Sequence, residues 1–117
     1  MFEYKAKVVR VIDGDTIEVM IDLGFYLSIR EKVRLANINA YEIKLGKTTT
    51  QADKDKGLEA KAFLENMLAD QEITLKTVKI RGKYGRFIAN VFVDDNGMVV
   101  NVNDLLIQKG YAVKAEY

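Results

Sequence analysis

The stretch LSIREKVRL, residues 27–35, decides the fold. Leu27, Ile29, Val33 and Leu35 fall on one face and Ser28, Arg30, Lys32 and Arg34 on the other, the two-residue period of a strand with one apolar and one strongly basic face. Upstream, Gly24 marks a turn, and Ile17, Val19 and Ile21 alternate with Thr16, Glu18 and Met20. Asp13-Gly14 supplies a second turn, and before it Tyr4, Ala6 and Val8 alternate with Lys5, Lys7 and Val9. Three meandering strands are therefore expected. Downstream, the pattern dissolves over residues 42–57 into a polar stretch without apolar period, which reads as a surface loop. A helix follows, with Ala60, Phe63, Leu64, Met67 and Leu68 on one face and Asp53 or Asp55 as a candidate cap. Residues 73–78 and 87–93 read as two more strands, with a turn at 94–97 and a short extended piece at 98–100. Asn103 is a candidate N-cap of a short helix that stops at Gly110.

Three strands, a helix, two strands and a short helix define an α+β, mainly β class. That order is the one found in a five-stranded OB-type barrel, with one helix between strands three and four and a short C-terminal helix. A five-stranded α+β sandwich of another topology shares the same order. The 117 residues, 49% of them hydrophobic, suit a single domain over residues 1–117.

Composition narrows the chemistry. There is no His and no Cys, so imidazole-assisted nucleophiles, thiolates, and His or Cys metal sites are excluded. An enzyme of this composition is left with carboxylates, Arg, Lys, Tyr, hydroxyls and backbone groups, with a hard oxygen-bound cation as an option. Lys and Arg total 18 against 17 Asp and Glu, so nucleic acid would be held by a local basic patch rather than by bulk charge. The opening residues carry no apolar signal core, and no stretch approaches the ~18 apolar residues of a membrane span. An intracellular monomer without membrane contact is the expectation, with a secreted origin left open.

Three clusters carry more than structure requires. Asp13-Gly14-Asp15-Thr16 is a hairpin turn on its plainest reading, yet Asp15 stands where its carboxylate can ligate a cation. In residues 33–42, Arg34 lies inside an apolar strand, and Asn39 and Glu42 follow where that strand meets the polar loop. A basic outer face accounts for this segment too, but a guanidinium holds phosphate by two parallel hydrogen bonds. Arg81, Lys83, Tyr84 and Arg86, punctuated by Gly82 and Gly85, form either a solvated basic turn or an anion-binding loop. The glycine spacing matches no P-loop and no dinucleotide fingerprint.

The ordered set Ile12-Asp13-Gly14-Asp15-Thr16, Val33-Arg34-Leu35, Glu42, Lys83-Tyr84-Gly85-Arg86, Val102-Asn103 and Lys109-Gly110-Tyr111-Ala112 resembles the staphylococcal nuclease (thermonuclease) family over nearly the whole chain. The resemblance implies an OB-fold, Ca²⁺-dependent phosphodiesterase, an endonuclease acting on single-stranded DNA or RNA and leaving 3′-phosphates. It implies metal ligation by Asp15, Asn39 and the backbone carbonyl of Ala40. It also implies phosphate binding by Arg34 and Arg86, water activation by Glu42, and contacts to a terminal phosphate from Lys83 and Tyr84. The polar loop at 44–56 corresponds to the family's mobile loop. Growing charge on the nonbridging oxygens suits guanidinium and cation stabilisation, and a carboxylate can position water.

Two departures bear on rate. Asn39 stands where the family usually has a second ligating Asp, so a negative charge is missing and cation affinity should fall. Tyr41 replaces a usual Pro beside Glu42, which loosens the backbone constraint there. The family's late active-site tyrosine aligns with Glu116 or Tyr117. Both departures also suit an alternative, a catalytically inactive module that binds nucleic acid or protein through the same groove.

Overall fold

In the computed structural model the structure describes residues 2–40, 51–79 and 87–115. Strands β1 (Glu3–Asp13), β2 (Thr16–Gly24) and β3 (Leu27–Leu35) form the expected antiparallel meander. After β4 (Ile38–Ala40) comes α1 (Gln51–Leu68), then β5 (Glu72–Lys79) and β6 (Phe87–Asp95). The chain continues through β7 (Met98–Asn101), α2 (Val102–Gln108) and β8 (Ala112–Lys114).

The sheet runs β3-β2-β1-β5-β6-β7, and a parallel pairing of β3 with β6 closes five of these strands into a barrel. That seam is short: Val33, Arg34 and Leu35 face Phe87, Ile88 and Ala89. The barrel interior takes one face of each strand, with Ile17, Val19, Val33, Leu35, Ile73, Leu75 and Val91 buried. Leu64 and Leu68 of α1 and Leu106 of α2 complete the same core. The OB-type architecture is thus the observed one, and the alternation in residues 27–35 reads correctly at its C-terminal half, where Val33 and Leu35 are buried.

Several local expectations are corrected. Residues 51–56 belong to α1, not to the polar loop, so Asp53 and Asp55 lie inside the helix rather than at its start. Gln51 instead donates its side-chain amide to Asp55 Oδ1 one turn on, at 3.0 Å, and good helix formers carry the turn without an apolar stripe. The cap of α2 is Asn101, whose Oδ1 accepts from the Asp104 backbone N–H. Asn103 is buried inside the helix and turned towards the barrel. The strands β4 and β8, three residues each, pair antiparallel and have no alternation long enough to be read from sequence.

Candidate active site

The site grows from two turns that meet at one end of the barrel. The first is the tight connection Gly14-Asp15 between β1 and β2, where Asp13 pairs with Thr16. Gly14 is buried, and a Cβ there would sit 2.7 Å from the Ala40 Cβ and 2.8 Å from the Ala60 Cβ. Its glycine is required by close approach: the turn is wedged between β4 and α1. The second connection runs through Ala36 and Asn37 from β3 to β4, with Asn37 at φ +60°, a conformation Asn tolerates.

Asp15 ties these two together. Its backbone carbonyl accepts from the Leu35 N–H at 2.8 Å, and its Oδ2 accepts from the Ala40 N–H at 2.8 Å. Its Oδ1 accepts from the Thr16 hydroxyl, and its own N–H donates to Asp13 Oδ1. Arg34 pairs across the sheet with Thr16 and is only 7% exposed. Its Nη1 donates to the Leu35 carbonyl at 3.0 Å, and its Nη2 lies 3.2 Å from Asp15 Oδ2 and donates to Asn39 Oδ1. An oxygen of Asp15 and one of Asn39 therefore converge on a single cationic nitrogen.

Electrostatics explain why a positive charge is held there. Burial, reinforced by the hydrogen bond and the charge of Asp13, pushes the Asp15 carboxyl up to about 6, against the pull of Arg34 and the Ala40 N–H. The ionised carboxylate is therefore only partly offset by the Arg34 guanidinium. Asp15 Oδ2 and Asn39 Oδ1 are oxygen donors, the chemistry preferred by a hard divalent cation, and in this structure both contact Arg34 Nη2. Asp15 and Asn39 thus fit such a cation. Among the described residues no group of three or more acidic side chains that could hold a metal ion comes together.

Of the residues singled out from sequence, Asp15, Arg34, Asn39 and Ala40 meet here; the described contact of Ala40 with Asp15 is through its N–H. Tyr41, Glu42, Lys83, Tyr84, Arg86, Glu116 and Tyr117 lie outside the described residues. Three contributors were not singled out for a site role. Thr16 was read as the start of a strand, yet its hydroxyl supports Asp15. Asp13 raises the Asp15 proton affinity, and a D-x-D spacing around a turn is the signal for that pairing. Asn103 donates to the carbonyls of Ala36 and Ala89 and accepts from the Val91 N–H, fastening the connection that carries Asn39.

Five-stranded OB-type barrels bind oligonucleotides or oligosaccharides on one face and its loops. The comparisons make the class specific. Residues 32–117 match the family model described as staphylococcal nuclease homologue. The chain is 34% identical, over 91% of its length, to an uncharacterized endonuclease of Escherichia coli O157:H7, of which it covers 58%. It is 29% identical, over 98% of its length, to a micrococcal nuclease of Shigella flexneri, of which it covers 60%. An uncharacterized protein of Methanocaldococcus jannaschii is 30% identical over 93% of the chain and 58% of its own length. The chain spans little more than half of the relatives it matches. It belongs to the staphylococcal nuclease homologue family.

Proposed function

We propose that this chain is a Ca²⁺-dependent phosphodiesterase that hydrolyses single-stranded DNA or RNA to 3′-phosphate products. The observation that carries the reading is the convergence of Asp15 Oδ2 and Asn39 Oδ1 on the buried Arg34 guanidinium. Membership of a nuclease family and the nuclease names of two relatives support it.

In this reading Asp15, Asn39 and the Ala40 carbonyl hold Ca²⁺, which supplies charge stabilisation to the phosphate oxygens when bound. Arg34, held through Nη1 by the Leu35 carbonyl and through Nη2 by Asp15 and Asn39, is the guanidinium that meets the scissile phosphate, with Arg86 as the second. Glu42 takes the proton of the attacking water or orients it, a step typically worth ~10²–10⁴-fold. Lys83 and Tyr84 bind a terminal phosphate. The residues 1–117 act as one domain.

Asn39 favours a second reading, a binding module without cleavage, because it leaves Asp15 as the only charged ligand of the set. One assay separates the two: hydrolysis of single-stranded DNA with Ca²⁺ and with chelator, by the wild type and by Asn39→Asp. Ca²⁺-dependent cleavage by the wild type, with a lower Ca²⁺ requirement in Asn39→Asp and loss of at least ~10²-fold in Arg34→Ala, is expected. Cleavage undiminished in chelator overturns the metal role. Cleavage by Asn39→Asp alone makes the natural chain a binding module.

A further inference from the structure

The far end of the β2–β3 hairpin is built against local preference. Gly24, Phe25 and Tyr26 have φ of +80°, +53° and +63°, and the central pair, Phe25 and Tyr26, forms a two-residue turn that ordinarily takes Asn-Gly. Both rings project fully: Phe25 is 93% exposed and Tyr26 108%, flanked by the exposed Leu23 and Leu27. Two bulky aromatics at positive φ with no packing contribute nothing to the core.

The outward face of the same strand leads from this tip to the candidate active site. Pairs Gly24–Leu27, Asp22–Ser28, Met20–Arg30, Glu18–Lys32 and Thr16–Arg34 succeed one another along the hairpin. Arg30, Lys32 and Arg34 thus stand about 6–7 Å apart on one side of β3, and Leu27 lies about 23 Å from Arg34 along the strand. Across β2 from them, on the same face of β1, Lys5 and Lys7 are exposed, and neither they nor Lys32 has a salt-bridge partner among the described residues. Glu18 is already engaged by both Arg10 and Arg30.

We infer that the β2–β3 hairpin is an accessory site for single-stranded nucleic acid, with bases stacking on Phe25 and Tyr26 and the backbone following the cations of β3 towards Arg34. Arg30 and Arg34 are ion-paired with Glu18 and Asp15, and Asp22 stands on the same face, so the surplus positive charge comes from Lys32 with Lys5 and Lys7. That surplus favours a polyanion over an apolar protein partner, and the projecting rings offer faces to unpaired bases. This rests on the nuclease reading for what happens at Arg34, but not for binding itself.

The test replaces the tip by the residues its backbone prefers, Phe25→Asn with Tyr26→Gly, so the variant should fold at least as stably as the wild type. In chelator, its affinity for a fluorescent thymidylate of about 20 nucleotides should fall tenfold or more. Lys32→Gln should also weaken that binding and lower its salt dependence by about one phosphate contact. Binding of a nucleoside 3′,5′-bisphosphate with Ca²⁺, followed by shifts of the Arg34 side-chain resonances, should not change in the tip variant. Equal affinity of wild type and tip variant for the long strand overturns the inference. So does a tip effect confined to self-association in sedimentation or to phosphatidylglycerol vesicles. Failure of the wild type to cleave, with the long-strand loss still present, overturns only the nuclease reading.

Discussion

Asp15 is the residue on which the site balances, and its pH behaviour follows from its surroundings. A folded-state pKa of about 6, above the ordinary 3.8, means that its contribution to stability is fully present below about 3.8 and is lost as pH rises through about 6. In chelator, Asp15→Asn should match the wild type in thermal unfolding at pH 4 and become the more stable of the two by pH 7. A difference that does not grow between those pH values would rule this out. Gly14 acts through space alone. Gly14→Ala must push Ala40 or Ala60 aside, since both lie under 3 Å from the added carbon, and overpacking of this kind typically costs about 1–3 kcal/mol. Because the Ala40 N–H is bonded to Asp15, the variant should also lose Ca²⁺ affinity by calorimetry, beyond what its melting temperature reports.

Elements long enough to show a period were legible, and short ones were not. The alternation through β1, β2 and β3 and the apolar stripe of α1 recur often enough to be read, because each repeats the contact that buries it. The strands β4 and β8 hold three residues each, so neither completes a pattern, and their pairing is visible only once the barrel brings them together. The start of α2 was misread for a related reason. Asn101 and Asn103 are equally good caps on paper, and the choice is made by β6, whose Val91 N–H and Ala89 carbonyl draw Asn103 inward. Their substitutions should therefore differ. Asn101→Ala removes one exposed cap, about 0.5–2 kcal/mol. Asn103→Ala strands the buried Ala36 carbonyl and the Val91 N–H, at about 1–3 kcal/mol for each buried group left unsatisfied, while the Ala89 carbonyl keeps its bond from the Ala36 N–H. Urea unfolding of the two variants checks the order, and equal losses would refute the positioning assigned to Asn103. At the site, Arg34 was readable because a charged side chain interrupts an apolar strand, and Asp15 because it stands where the apolar run resumes after a turn signal. The supporting geometry was not, since Ala40, Asn103 and Gly14 act through contacts distant in sequence.

For the molecule as a whole, the seam between β3 and β6 joins segments far apart along the chain, while the β1–β2–β3 meander is local. Contacts between distant segments form against a larger loss of chain freedom, so the meander should gain hydrogen-exchange protection during refolding before the Ala36 amide, which is bonded to the Ala89 carbonyl. Simultaneous protection at both places would contradict that order. Arg34 is itself a rung of this seam, facing Ile88. A three-rung join is also the place where a closed barrel opens most readily without unfolding. Were it to part, the guanidinium would lose its fixed bearing while the aromatic tip stayed intact. Under the proposed function and the inferred hairpin site, such a molecule would still grip a strand and no longer cut it, so warming short of the melting point should silence hydrolysis before it releases substrate.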